Sequence, residues 1–167
     1  MNMLLYAVTD TGLRPLFVDP THTTFEQVVQ GYPLGVYSVL RTFNHNQFLY
    51  LEAHIERTRR SMELLDWDYV WDESRFRRYL HQAVTAAPFA EMRVRWDILA
   101  ETVPGIHSRE LITLQSFTPP PAALYEQGVQ VAVATPLHRE NPLAKTADFA
   151  QSRFAYSQKE KKPTNTY

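Results

Sequence analysis

The chain has 167 residues, 44% of them hydrophobic and 13% aromatic, and a formal net charge of −1. This suits one folded domain, or one and part of a second, and excludes an intrinsically disordered chain. The balanced charge gives no general pull toward nucleic acid or an anionic membrane, and the lack of cysteine excludes disulfides, thiolate catalysis and thiolate-bound zinc.

No apolar run reaches the length of about 18 residues needed to span a membrane. Residues 1–12 lack the basic region and small-residue cleavage site of a signal peptide. The expected compartment is the cytoplasm.

Two strands are predicted near the start, over 3–8 and 15–18. Residues 36–43 form a third, with Tyr37, Val39, Arg41 and Phe43 on one face. Asn44-His45-Asn46 then turns the chain into 47–51, a hairpin signal. Helical spacing of Leu51, Ile55, Met62 and Leu65 predicts a helix over 51–66. Asp72 is a good N-cap for a second helix. Its buried face is Phe76, Leu80, Ala83, Val84 and Ala87, and Pro88 stops it.

Residues 92–99 alternate as a strand, with Met92, Val94, Trp96 and Ile98 opposite Arg93, Arg95, Asp97 and Leu99. Another strand is predicted over 110–117. Three prolines at 119–121 form a stiff connection. Beyond it, 128–135 alternates as a strand, and 146–161 can run as a helix ended by Pro163. The pattern is α+β: an antiparallel sheet with two helices on one face. It divides into an N-terminal domain, 1–118, a proline linker, 119–123, and the start of a second domain, 124–167. A single strand and helix cannot bury a core alone, so the second domain reads as cut off partway.

Lysine is scarce. Of 17 basic residues only four are Lys, and Lys159, Lys161 and Lys162 lie in the last nine positions. The fourth, Lys145, is flanked by Leu143, Ala144 and Phe149, with Asp148 the nearest acid. Apolar surroundings favour the neutral amine that attacks an aldehyde. The alternative is a surface lysine at a helix start.

On the first helix His54, Arg57 and Ser61 share a face. An arginine on a rigid helix is a natural partner for phosphate. The alternative is a solvated face, with Glu52, Glu56 and Glu63 pairing Arg57, Arg59 and Arg60. Tyr37 and Arg41 project from one strand face, Arg93 and Arg95 from another. Lining a cleft, they offer a carboxylate a phenol and a cationic fork; facing water, they are ordinary surface.

Other constellations fail. Six histidines show no metal-ligand spacing, and five dispersed glycines form no phosphate-binding loop. The basic run Arg75-Phe76-Arg77-Arg78 sits beside Asp72 and Glu73, which disfavours nucleic acid.

The pieces and their order carry a resemblance. Gly35-Val36-Tyr37-Ser38-Val39-Leu40-Arg41 is followed by Leu51-Glu52-Ala53-His54-Ile55-Glu56-Arg57 and Ser61-Met62-Glu63-Leu64-Leu65. A Gly-Val-Gln-Val strand comes later, then Asn141-Pro142-Leu143-Ala144-Lys145-Thr146. Over about residues 33–167 the chain resembles the N-terminal part of the class IV aminotransferases. These are fold-type IV enzymes dependent on pyridoxal 5′-phosphate, among them branched-chain aminotransferases, D-amino-acid aminotransferases and aminodeoxychorismate lyases.

The resemblance implies an α+β domain followed by a β-barrel-like one, and a homodimer. It implies that Lys145 forms the Schiff base with pyridoxal phosphate and shuttles the proton. Arg57 matches the phosphate-binding arginine and Tyr37 an aromatic of the substrate pocket. Arg41 falls at a neighbouring pocket position. Arg93 or Arg95 falls where some members bind the substrate carboxylate. The implied reaction is amino-group transfer between an amino acid, of branched-chain type, and a 2-oxo acid. The alternatives are an aminodeoxychorismate-type lyase and a non-catalytic truncated member acting as a folding or dimerisation module. The chain departs from the family at Asp148-Phe149, where an Asn followed by Tyr or Leu is common, and at Ser38, where many members have Glu. Family members also continue well beyond this point, into a part carrying the glutamate that pairs with the pyridine nitrogen.

Overall fold

A computed structural model describes residues 3–129 and 142–160, with side chains to residue 156. The chain opens on a hairpin of β1 (Met3–Thr9) and β2 (Gly12–Leu16). Gly12, at φ 150°, closes the turn, and the Thr9 hydroxyl donates to its carbonyl at 2.8 Å. The turn therefore ends at Gly12, and β2 starts earlier than the strand expected over 15–18.

A short helix follows, α1 (Phe25–Val28). Thr24 and Gln27 form a reciprocal capping box there, a signal of Thr-x-x-Gln spacing. Strand β3 (Gly35–Phe43) and the two-residue β4 (Gln47–Phe48) form the hairpin expected at Asn44-His45-Asn46. Asn44 and His45 take the positive φ values that such a turn needs. Tyr50, also left-handed at φ 57°, redirects the chain into α2 (Leu51–Leu64), so β4 stays short.

The expected capped helix is α3 (Glu73–Ala86), with the Asp72 carboxylate accepting from the Arg75 N–H at 2.8 Å. Strands β5 (Met92–Leu99) and β6 (Glu110–Ser116) match the strands expected over 92–99 and 110–117. Helix α4 (Ala122–Gln127) begins straight after Pro121. Helix α5 (Ala147–Glu160) follows Lys145. The strand expected over 128–135 falls almost wholly outside the described residues, as does Pro163.

The six strands form an open antiparallel sheet in the order β2-β1-β6-β5-β3-β4. Alternation along the strands sorts side chains onto two faces. On one face Val36, Leu40, Val94, Trp96, Ile98, Ile112 and Leu114 meet Ile55 and Met62 of α2 and Phe76, Leu80 and Val84 of α3. These are the two helices expected on one face. On the other face Leu5, Ala7, Leu99 and Leu111 meet Phe25 and Val28 of α1, and Tyr37 meets Ala147 and Ala150 of α5. The sheet is thus covered on both sides, which is why all of β5 except Arg93 is buried. Gly35 fits where a Cβ would stand 3.1 Å from Leu99 Cδ2 and 3.2 Å from the Ile98 carbonyl oxygen, so β3 can close onto β5 there. Among the described residues no helix is long and apolar enough to cross a membrane.

Candidate cofactor and substrate site

β4 pairs only with Thr42 and Phe43, so it leaves the N-terminal half of the β3 edge uncovered. The chain around Lys145 takes that place. Val36 bridges Thr146 in antiparallel fashion, and the Tyr37 N–H donates to the Lys145 carbonyl at 3.0 Å. From the other side, the Lys145 N–H donates to the Ser61 hydroxyl of α2 at 3.1 Å. That hydroxyl in turn donates to the Arg57 carbonyl at 2.7 Å. The backbone of Lys145 is therefore stitched between a strand and a helix, although it lies outside both. Its ammonium stands 4.8 Å from the centre of the Tyr37 ring.

Tyr37 and Ser38 are neighbours on β3 and so face opposite sides of the sheet. Ser38 points at α2 and is fully buried. Arg57 Nη2 donates to its Oγ at 2.7 Å and to His54 Nδ1 at 2.9 Å, and Oγ lies 2.9 Å from the same Nδ1. The expectation that His54, Arg57 and Ser61 share one helix face holds. Burial, then the nearby Arg57 and Lys145 cations, hold the His54 imidazolium below its ordinary pKa of 6.5, which keeps the ring neutral at pH 7.

Arg57 and Arg109 are the half-buried arginines without a carboxylate partner among the described residues, and Arg109 instead donates through Nε to the Leu99 carbonyl and stacks on Tyr69. Arg41 pairs with Glu91, Arg75 with Asp10 and Glu110, Arg77 with Glu52 and Glu73. Among the described residues no carboxylate pairs with Arg57, and its buried Nε has no hydrogen-bond partner. The solvated-face alternative, with Glu52, Glu56 and Glu63 as partners, goes instead to Arg59 and Arg77. Arg59 pairs with Glu56 and Glu63 on α2, and Glu52 reaches α3. Burial pulls the Arg57 pKa below its usual value, as expected for a cation short of counter-charge.

On the Tyr37 face the structure brings Arg95 to the same ring, its guanidinium 4.2 Å from the centroid. Arg95 is fully buried, donating through Nε and Nη2 to Asp97 at 2.8 and 2.6 Å, while its Nη1 lies 3.5 Å from Glu26. Arg41 and Arg93 are register partners further along the strands. Arg41 pairs with Glu91 at 2.7 Å and stacks on Phe43 and Phe117; Arg93 is exposed and stacks on Phe25. Lys145, Tyr37 and Arg95 are thus together, with Arg57 across the strand, and Arg41 and Arg93 apart.

Sequence reasoning missed Asp97 as the partner that occupies Arg95, although two residues apart on a strand means the same face. It also passed over Ser38 as a contact of Arg57. The signal was there, since Ser38 shares the helix-facing side of β3 with Val36 and Leu40.

The model for the Amino-transferase class IV family matches residues 35–164, a span that holds this whole cluster. The chain belongs to the class IV aminotransferases. No curated protein matches it. Solved structures of similar fold include a fold IV transaminase from Curtobacterium pusillum, at TM-score 0.65 and 16% identity. A structure assigned as a branched-chain amino acid aminotransferase from Thermotoga maritima gives 0.62 and 17%. One assigned as a 4-amino-4-deoxychorismate lyase gives 0.61 and 26%. These alignments cover 93%, 93% and 89% of this chain. The class IV chain spans 59%, 53% and 58% of those three structures.

Proposed function

We propose that this chain supplies the phosphate anchor, the reactive lysine and one wall of a pyridoxal phosphate-dependent amino-transfer site. The observation that carries this reading is Arg57, a half-buried cation without a carboxylate partner among the described residues, on the helix that also holds the backbone of Lys145. A cation in that state suits a phosphate dianion, so the donor set fits the cofactor. When bound, pyridoxal phosphate would supply an aldehyde for amines to condense with and an electron sink.

The protein's own groups do the rest. Arg57 binds the phosphate and Ser38 and His54 orient it. Lys145 Nζ is the amine that meets the aldehyde, and later the base and acid that moves the proton of the substrate α-carbon. The Tyr37 ring, supported by Arg95, walls the substrate side and limits water. Arg41 and Arg93 stand further along that face as outer groups for a carboxylate. The substrates are an amino acid, of branched-chain type, and a 2-oxo acid, and the working form is a cytoplasmic homodimer.

The test is amino transfer from a branched-chain amino acid to 2-oxoglutarate in the presence of added cofactor. Turnover that disappears in Lys145→Ala supports the reading; equal turnover in that variant overturns it. A second reading is favoured by the 26% identity to the structure assigned as a lyase. Pyruvate released from aminodeoxychorismate without any amino acceptor would select it over amino transfer.

A further inference from the structure

We propose that His54 is a positioning residue for the phosphate anchor: as a neutral acceptor at Nδ1, it locks the Arg57 guanidinium to the Ser38 hydroxyl. This rests on the reading of Arg57 as that anchor.

Proton counting carries the argument. Ser38 Oγ, His54 Nδ1 and Arg57 Nη2 lie within 2.7 to 2.9 Å of one another. Arginine only donates, so both Oγ and Nδ1 accept from Nη2. The serine has one proton, and the acceptor beside it is Nδ1. The imidazole must then be neutral, with its own proton on Nε2. A protonated ring would set an Nδ1–H against the Arg57 N–H, two donors and two cations at hydrogen-bond distance.

The surroundings agree. The charged groups facing His54 are Arg57 on its own helix and Lys145 from the segment against β3, both cations. From β5 it meets the edge of Trp96, ring centres 6.4 Å apart. Trp96 is fixed by donating from Nε1 to the Thr58 hydroxyl at 2.9 Å. The imidazole therefore has a rigid wall behind it and presents its Nδ1 acceptor to the donating Arg57 guanidinium in front. Two of the five guanidinium protons are used within the cluster, and the buried Nε–H has no hydrogen-bond partner. Without His54 the guanidinium would keep only the Ser38 contact and could rotate about its long side chain.

The experiment measures dissociation constants of the full chain for pyridoxal phosphate and for pyridoxal at pH 7.5. The pyridoxal constant divided by the pyridoxal phosphate constant isolates the phosphate contribution. Arg57→Ala lowers that ratio by roughly tenfold or more, as for a hydrogen-bonded charge. His54→Phe, which fills the space without an acceptor, lowers it by about tenfold with pyridoxal affinity unchanged. His54→Asn restores most of it, because its side-chain oxygen can replace Nδ1. Nitrogen-15 spectra of the wild-type imidazole show the neutral Nε2–H form at pH 7.

A ratio that falls in Arg57→Ala but not in His54→Phe overturns this proposal and leaves the anchor standing. A ratio unchanged in Arg57→Ala overturns the anchor itself. If His54→Phe does not fold, the spectra and His54→Asn decide. An Nδ1–H or doubly protonated ring at pH 7 contradicts the proposal.

Discussion

Burial changes what a side chain does more than its type does. His54 and Arg57 are ordinary helix residues by composition, yet burial lowers the pKa of each, and the Arg57 and Lys145 cations lower that of His54 further. The His54 value lies below the 6.5 of the unfolded chain, so the unfolded state binds the proton more tightly. Its contribution to stability is therefore neutral well above pH 6.5. Stability falls as the pH drops through that value and stops falling, from this source, below the folded value. Urea midpoints should drop from pH 7.5 to 5.5 in the wild type and drop less in His54→Asn; an equal drop in both would contradict this. A second residue-scale prediction concerns the buried pair Arg95 and Asp97. Asp97→Ala leaves a buried guanidinium without its main partner, an expected loss of about 3–5 kcal/mol in chemical denaturation. A loss below about 1 kcal/mol would mean Glu26 or water compensates. Arg95 was legible as a face residue of β5, but its burial was not, because alternation names a face without saying what covers it.

The helices show how far local signals reach. Asp72 was readable as a cap because it precedes an apolar stripe at helical spacing, and it caps α3. Asp72→Ala should cost about 1 kcal/mol, read from thermal or urea unfolding. The stripe behind it anchors the whole helix face. Phe76 is fully buried, its ring 5.0 Å from that of Trp71 and 5.6 Å from that of Trp96. Phe76→Ala should lose about 3–5 kcal/mol, the range for emptying an aromatic site in a core. Less would show that the tryptophans collapse into the space. The elements missed or misplaced were short. α1 has four residues, and β2 depends on where Gly12 turns the chain. For such pieces the tertiary contacts decide, and hydrophobic period has too few residues to register.

At the scale of the molecule, the sheet's uncovered edge explains the site. A strand paired on only one side leaves donors and acceptors open. Here β3 uses them to dock the Lys145 segment, while α2 grips the same segment through Ser61. Ser61→Ala removes that grip. Loss of about 1 kcal/mol of hydrogen bonding should speed hydrogen exchange at the Lys145 amide by about fivefold. Unchanged exchange would show that the β3 bridge alone holds it. This docking joins residues more than 80 positions apart. Periodicity in the sequence could place Lys145 near a helix start and Arg57 on a helix face. It could not bring them to one strand, since that needs the order of strands across the sheet. The ordered resemblance to a family supplied that link.

The central claim is that Lys145 and Arg57 form a cofactor site together. The direct measurement is borohydride reduction of the purified chain mixed with pyridoxal phosphate, followed by peptide mapping, alongside Arg57→Ala. Selective label on Lys145 that weakens in the variant is the predicted result. Label spread over Lys159, Lys161 and Lys162, or label on Lys145 indifferent to Arg57, would contradict the account.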